Sequence, residues 1–196
     1  MKNFSILTIT IISFLFIGCG DSDNSPKHTY VESSFLTVEK TTQTEILKAI
    51  NNARSISRDC HDGNGFIPAA KALIWNTELY AAAYEHSNDL AKSNTFSHYG
   101  SGTSSDITGS NNGNNSYFNE RIKANGYTDY KTIGENIAGG QDSIDEAIIA
   151  WLASPAHCVN IMNSDFKEIG VAVIVNSSSD YGIYWTQSFG TKKQQY

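Results

Sequence analysis

Apolar positions along the chain recur at the helical period of 3.6 in several stretches and at the strand period of two near the C-terminus. After Thr42, residues Ile46, Ile50 and Ala53, flanked by Leu47, form one apolar face. Thr42 with Glu45 three positions on is a capping-box signature for its start. "RDCHDGNGFIP" reads as a turn-rich loop, and "KALIW" as a short strand or extended lead-in. Asn76 is the expected N-cap of a second helix, where Leu79, Ala83, His86 and Leu90 share a face. Residues 100–116, rich in Gly, Ser and Asn, read as a flexible surface insertion. A third helix in "YFNERIKANGY" stops at Asn125-Gly126. "KTIGENIAGG", apolar at its centre with glycines at both ends, reads as a loop or short strand. "DSIDEAIIAWLAS" predicts a helix capped by Asp142, with Ile144, Ile148, Trp151 and Leu152 buried. Ser154 and Pro155 then predict a new helix start, with His157 third in it. "EIGVAVIV" and "YGIYWTQSFG", parted by "NSSSD", predict an antiparallel hairpin. Helices first and a closing hairpin give an α+β domain with helices packed on a small sheet.

The first apolar run has a different meaning. Lys2 precedes "FSILTITIISFLFIG", which is short for a spanning helix and placed as a signal peptide is. "FIGC" resembles a bacterial lipoprotein signal, which implies lipidation of Cys19. An ordinary secretory signal cleaved near Gly20 is the alternative. This divides the chain into a signal peptide (1–18), a polar tether (19–41) and a domain over 42–191. A hydrophobic fraction of 40% in 196 residues supplies a packed core for one such domain. The net charge of -6, with no dense basic run, excludes nucleic acid as the main partner. Setting Cys19 aside leaves Cys60 and Cys158, an even pair that reads as a disulfide in an oxidising compartment. Two free thiols, or a reactive Cys158 beside His157, are the other readings.

The residues that could carry chemistry are His86, His98, Glu135 and His157. His86 lies on an apolar helix face and reads first as a core histidine with a hydrogen-bond partner. Glu135, set between Ile133 and Ile137, is expected to point at something. His157 in the first turn of a helix is held toward the neutral imidazole, which can ligate a metal or accept a proton. Their spacings alone form no compact helical metal motif of the HExxH kind.

"LYAAAYEHSNDLAKSNTFSHYGS", "RIKANGY", "IGENIAGG", "WLASPAHCVNIMNSDFKEIGVAV" and "YWTQSFG" stand in the order and approximate spacing of the CAP superfamily. That group holds the cysteine-rich secretory, antigen 5 and pathogenesis-related proteins, whose domain is also called SCP. The chain resembles its bacterial branch over roughly residues 45–190. The resemblance implies an α-β-α sandwich with a small antiparallel sheet between helical layers. It also implies a cleft lined by two histidines and two acidic residues that holds a divalent cation in some members. Carried over by position, these are His98, Glu135 and His157. The fourth, a glutamate three residues after the helix tryptophan, is replaced here by Ser154. The remaining trio could form a three-ligand Zn²⁺ site with an open position. In the same frame, Cys158 points away from His157 because helical neighbours lie about 100° apart. It is expected to bond Cys60 and fix the cleft wall.

The resemblance favours a ligand- or metal-binding module at the cell envelope, anchored in the membrane by its N-terminal lipid and requiring no cofactor. Its ligand would be a small hydrophobic molecule, a glycan or an envelope protein. A metal-assisted, peptidase-like hydrolase with Glu135 as general base is the alternative. A scaffold using the 100–116 segment as its contact surface is a third reading.

Overall fold

The computed structural model describes residues 41–194. The expected signal peptide, Cys19 and all but the last residue of the expected tether lie outside the described residues. Among the described residues, no helix is long and apolar enough to cross a membrane.

Six helices and six strands follow one another here. Helix α1 (Gln43–Arg54) starts at Thr42, where the capping box forms as the sequence indicates. Two short strands, β1 (Arg58–Asp59) and β2 (Phe66–Ile67), pair antiparallel within the segment read as a loop. β3 (Ile74–Trp75) leads into α2 (Thr77–Ser93), capped by the Asn76 side chain. Helices α3 (Ile107–Asn112) and α4 (Phe118–Ala124) precede the long strand β4 (Tyr130–Gly139). Helices α5 (Ile144–Ala153) and α6 (Pro155–Met162) then lead to the hairpin β5 (Glu168–Val175) and β6 (Ile183–Lys192).

The main sheet runs β3-β5-β6-β4. β5–β6 and β6–β4 are antiparallel, whereas the short edge strand β3 joins β5 in parallel. Period-two alternation sends Trp185, Phe189, Ile169 and Val171 to one face, against Ile50 of α1, Trp151 of α5 and Ile161 of α6. Tyr184 faces the other side, where it packs with Leu90 and Ala91 of α2. Leu79 and Ala82 of that helix pack with Ile122 of α4. The result is an α-β-α sandwich, as expected. Its sheet is mixed because β3 enters after a crossover rather than through a hairpin.

Three local readings differ. "KTIGENIAGG" is a ten-residue strand paired with β6 along its length. Its glycines serve packing: a Cβ on Gly134 would come within 2.7 Å of the Phe166 ring. α5 is capped by Ser143, which accepts from the Glu146 N–H, not by Asp142. The 100–116 segment carries helix α3 and is held by two buried carboxylates, one of its own and one from α2. Asp106 accepts hydrogen bonds from the amides of Gly102, Gly109 and Ser116 and from the Ser116 hydroxyl. Asp89 of α2 accepts from Ser101 and Ser105. Composition alone suggested a loop without structure, but buried carboxylates supply the ordering contacts that apolar residues usually provide.

Cys60 and Cys158 are bonded, with Cα atoms 5.5 Å apart and a sequence separation of 98. Closing a loop of that length stabilises the fold by about 4–5 kcal/mol in the chain-entropy picture. The bond ties the first turns of α6 to the β1–β2 segment.

The tightest approach between layers is at Gly170 of β5. A Cβ there would lie 2.0 Å from the Tyr80 backbone nitrogen and 2.3 Å from the Leu79 carbonyl carbon. Backbone cannot swing aside as a side chain can, so Gly170→Ala should cost about 3 kcal/mol. Urea unfolding of the variant measures this, and a loss under about 1 kcal/mol would show that α2 lifts freely from the sheet.

Candidate functional site

The site forms where β4 ends the sheet. Adjacent residues of a strand point to opposite faces, and Glu135 and Asn136 use this to reach both helical layers. Glu135 turns to the α2–α4 side, where it is buried. Its Oε1 accepts from His98 Nδ1 at 2.9 Å and its Oε2 from Arg121 Nη2 at 2.9 Å. Asn136 turns to the α6 side, donating to the His157 carbonyl at 3.1 Å and to Gln187 Oε1 at 2.9 Å. Asn160 of α6 donates to Asn136 Oδ1 in turn. The main chain of His157 is thus tied to the strand that carries Glu135.

Arg121 is the residue that sequence reasoning missed. It sits on the short helix α4 and is fully buried. One guanidinium nitrogen bonds both the Glu135 carboxylate and the His98 carbonyl, the latter at 3.0 Å. The other bonds the Ser116 hydroxyl and carbonyl. A single arginine therefore clamps the carboxylate, the backbone of His98 and the end of the 100–116 segment. Nothing in the periodicity of "FNERIKA" separates this buried arginine from an exposed one.

His86 is a core histidine, as the sequence indicates, but it also adjoins the site. Its Nε2 donates to the Ser97 carbonyl at 2.9 Å and lies 3.8 Å from Glu135 Oε1. It thereby holds the residue before His98 in place. Burial drives its pKa down to about 4, outweighing the attraction of Glu135. Burial also works against ionisation of Glu135. The attraction of His86 when charged, that of Arg121 and the two hydrogen bonds outweigh it and hold the carboxyl below its ordinary value. At neutral pH the standing partner of the carboxylate is Arg121.

His98 and His157 meet edge to face across the cleft, with ring centroids 6.3 Å apart. His98 is 42% exposed. Its Nδ1 is committed to Glu135, which leaves Nε2 as the ring nitrogen with no hydrogen bond among the described residues. Burial, then repulsion from His98, lowers the pKa of His157. Ser154 starts α6 through its backbone, and its side chain makes no capping bond.

The expected three-ligand metal site is not what these residues build. Both Glu135 oxygens are engaged, and a guanidinium lies against one of them. Among the described residues, no three His, Cys, Asp or Glu side chains are grouped to hold a metal ion. Glu135 stands behind His98 as its orienting partner, which leaves two imidazoles facing the cleft. A concavity of about 520 Å³, between α2 and the α3–α4 segment, contains none of these residues.

An α-β-α sandwich with paired histidines and a buried glutamate at its edge strand defines the class. A family model described as the cysteine-rich secretory protein family, CAP, matches residues 47–189, and the chain belongs to that family. It is 45% identical over 60 residues to the uncharacterized protein YkwD of Bacillus subtilis, covering 31% of this chain and 21% of that protein. It is 30% identical over 121 residues to the uncharacterized membrane protein YlbC of the same organism, covering 60% of this chain and 28% of that protein. The chain thus spans less than a third of the length of these curated relatives. Among solved structures, it resembles an extracellular SCP-domain protein from Bacillus anthracis with a TM-score of 0.55 and 24% identity, covering 76% of this chain and 40% of that one. It also resembles an outer surface protein from Borrelia burgdorferi with a TM-score of 0.54 and 20% identity, covering 78% of this chain and 97% of that one. Both likenesses concern the fold.

Removing Arg121 leaves a buried carboxylate without its counter-charge, so Arg121→Ala should cost about 3–5 kcal/mol. The Arg121→Ala/Glu135→Ala pair should cost less than the sum of the single variants. A strictly additive cycle in urea unfolding would refute the coupling.

The pH dependence follows from the same groups. His86 and His157 hold protons less readily folded than unfolded, so the unfolded chain takes up the excess protons as pH falls. Their contribution is complete above pH 6.5, the ordinary histidine value, and is lost toward the folded value of about 4 for His86. The fold should therefore lose about 2–3 kcal/mol across that window. Glu135 adds to the loss only below its own ordinary value of 4.5. Denaturation midpoints across this range check it, and a flat profile would contradict the burial of His86.

Proposed function

We propose that the chain is an extracytoplasmic ligand-binding domain, held at the cell envelope by a lipid on Cys19. In this reading its cleft takes a divalent cation, or a ligand that coordinates or hydrogen-bonds like one, between His98 and His157. The observation that carries the binding reading is the state of Glu135. A general base must be open to the proton it takes, whereas this carboxylate is buried, with His98 against one oxygen and Arg121 against the other. His98 and His157 could each accept a proton, but among the described residues no serine, threonine or cysteine side chain is hydrogen-bonded to either ring as a nucleophile would be.

A carboxylate behind a histidine is the usual second partner of a metal-binding imidazole, fixing its tautomer and aim. His98 and His157 would hold the ion, and a bound cation would present Lewis acidity to whatever ligand completes its shell. With Ser154 in place of an acidic side chain, the cation would carry fewer anionic donors and bind more weakly.

The extracytoplasmic assignment is supported by the N-terminal apolar run ending in "FIGC". The disulfide adds support, because such bonds persist outside the reducing cytoplasm. The extracellular and outer-surface descriptions of the structural relatives agree with it.

Zinc titration by calorimetry tests the cleft. One Zn²⁺ should bind the full chain, and His98→Ala/His157→Ala should abolish it. Glu135→Gln, which weakens the orientation of His98, should reduce affinity by about ten- to a hundredfold. Binding that survives the double histidine variant would place the ion elsewhere. Absence of binding would restrict the cleft to uncharged or protein ligands.

A further inference from the structure

The outward face of α2 does not look like a solvated helix face. Tyr80, Tyr84 and Asn88 recur at the i, i+4 spacing, and both tyrosines are exposed, at 39% and 46%. Trp75, at the end of β3, extends the row. Its ring lies 5.7 Å from Tyr80, and Tyr80 lies 6.2 Å from Tyr84, with successive tilts of 37° and 43°. The three rings thus stand in a row, with Tyr80 and Tyr84 exposed and Trp75 partly packed against the core.

The row runs along two concavities that share Tyr80. One, of about 520 Å³, lies between α2 and the wall formed by α3 and the end of α4. The other, of about 410 Å³, runs past Trp75 toward the start of α1. Neither is lined by a lysine or arginine. The single acid among their lining residues is Glu85, whose oxygens are both taken, by the Thr108 amide and the Asn125 side-chain amide, each at 2.7 Å. That buried carboxylate pins the α3 wall in position. Asn88, Asn111 and Asn112 line the first concavity, and their side-chain amides make no hydrogen bond among the described residues.

We infer that this groove is a binding site for a neutral glycan chain, separate from the histidine cleft. A pyranose ring offers an apolar C–H face and a rim of hydroxyls. Exposed aromatic rings receive the first, and unpaired amides receive the second. Ring-to-ring steps comparable to the length of one sugar unit suit a chain laid along the row better than a single small molecule. Lack of free charge along the groove selects against phosphorylated or strongly acidic polymers. The Asn-rich segment thereby gains a use: Asp106, Asp89 and Glu85 order it so that Asn111 and Asn112 stand opposite Tyr84.

The test is calorimetric titration of the full chain with cellohexaose and with chitohexaose, which share ring stacking and differ in the acetamido group. Saturable binding of either is expected, and the better of the two assigns the sugar class. Tyr80→Ala/Tyr84→Ala should lower affinity by at least about tenfold with an unchanged melting curve. Tyr80→Phe/Tyr84→Phe, which keeps the rings, should stay within about threefold of the parent. Asn111→Ala/Asn112→Ala provides a second, fully exposed probe and should also weaken binding. His98→Ala/His157→Ala should leave it unchanged, so failure here and failure of the cleft reading are separate results. Absence of saturable binding to both sugars at millimolar concentration would overturn the proposal. So would full affinity in the Tyr→Ala variant, or loss of affinity in the histidine variant.

Discussion

One buried ion pair organises this end of the molecule. Arg121 and Glu135 come from different elements and are both withdrawn from water. A desolvated pair of this kind adds little net stability by itself, but losing either member is expensive. Its geometric effect is larger. The guanidinium also holds the His98 backbone and the Ser116 hydroxyl, so the exit from α2, the 100–116 segment, α4 and β4 share one anchor. His86 braces the arrangement from below through Ser97. The exposed imidazole of His98 therefore sits on a rigid base, although it belongs to a loop.

The other half of the cleft is fixed by independent means. His157 rides on α6, whose first turn is cross-linked through Cys158 and whose main chain accepts from Asn136. Glu135 and Asn136 are neighbours in sequence that serve opposite layers. This is possible because β4 is the last strand of the sheet and both of its faces are covered by helices. The two imidazoles are thus each held by their own anchor at a centroid separation of 6.3 Å.

Much of the helical framework could be read directly from residue spacing. The caps at Thr42 and Asn76 and the Ser154-Pro155 start of α6 are local signals with local outcomes. The terminal hairpin was equally legible, because its β-branched and aromatic runs flank a clear turn former. β4 was harder. Its central positions are Gly134, Glu135 and Asn136, residues that propensity assigns to loops, and only the strand beside it explains them. The 100–116 segment was obscured for a related reason, since its order comes from buried carboxylates and not from apolar residues. Among the site residues, His98, Glu135 and His157 were visible through the family resemblance. Arg121 was not, because a buried arginine leaves no periodic trace. The role of Glu135 as a support for His98, and not as a ligand, depended on which atoms face which.

The strand order has a further consequence for how the chain acquires its structure. The two central strands, β5 and β6, come last in chain order among the described elements, and both β3 and β4 pair only with them. Until residues 168–192 emerge, the earlier helices have no sheet to cover, and the ion pair at β4 has no strand beside it. Assembly of the sheet therefore waits for residues 168–192, because the pairings of β3 with β5 and of β4 with β6 join segments far apart in sequence. A chain ordered this way keeps the apolar faces of its earlier helices uncovered until those two strands are in place.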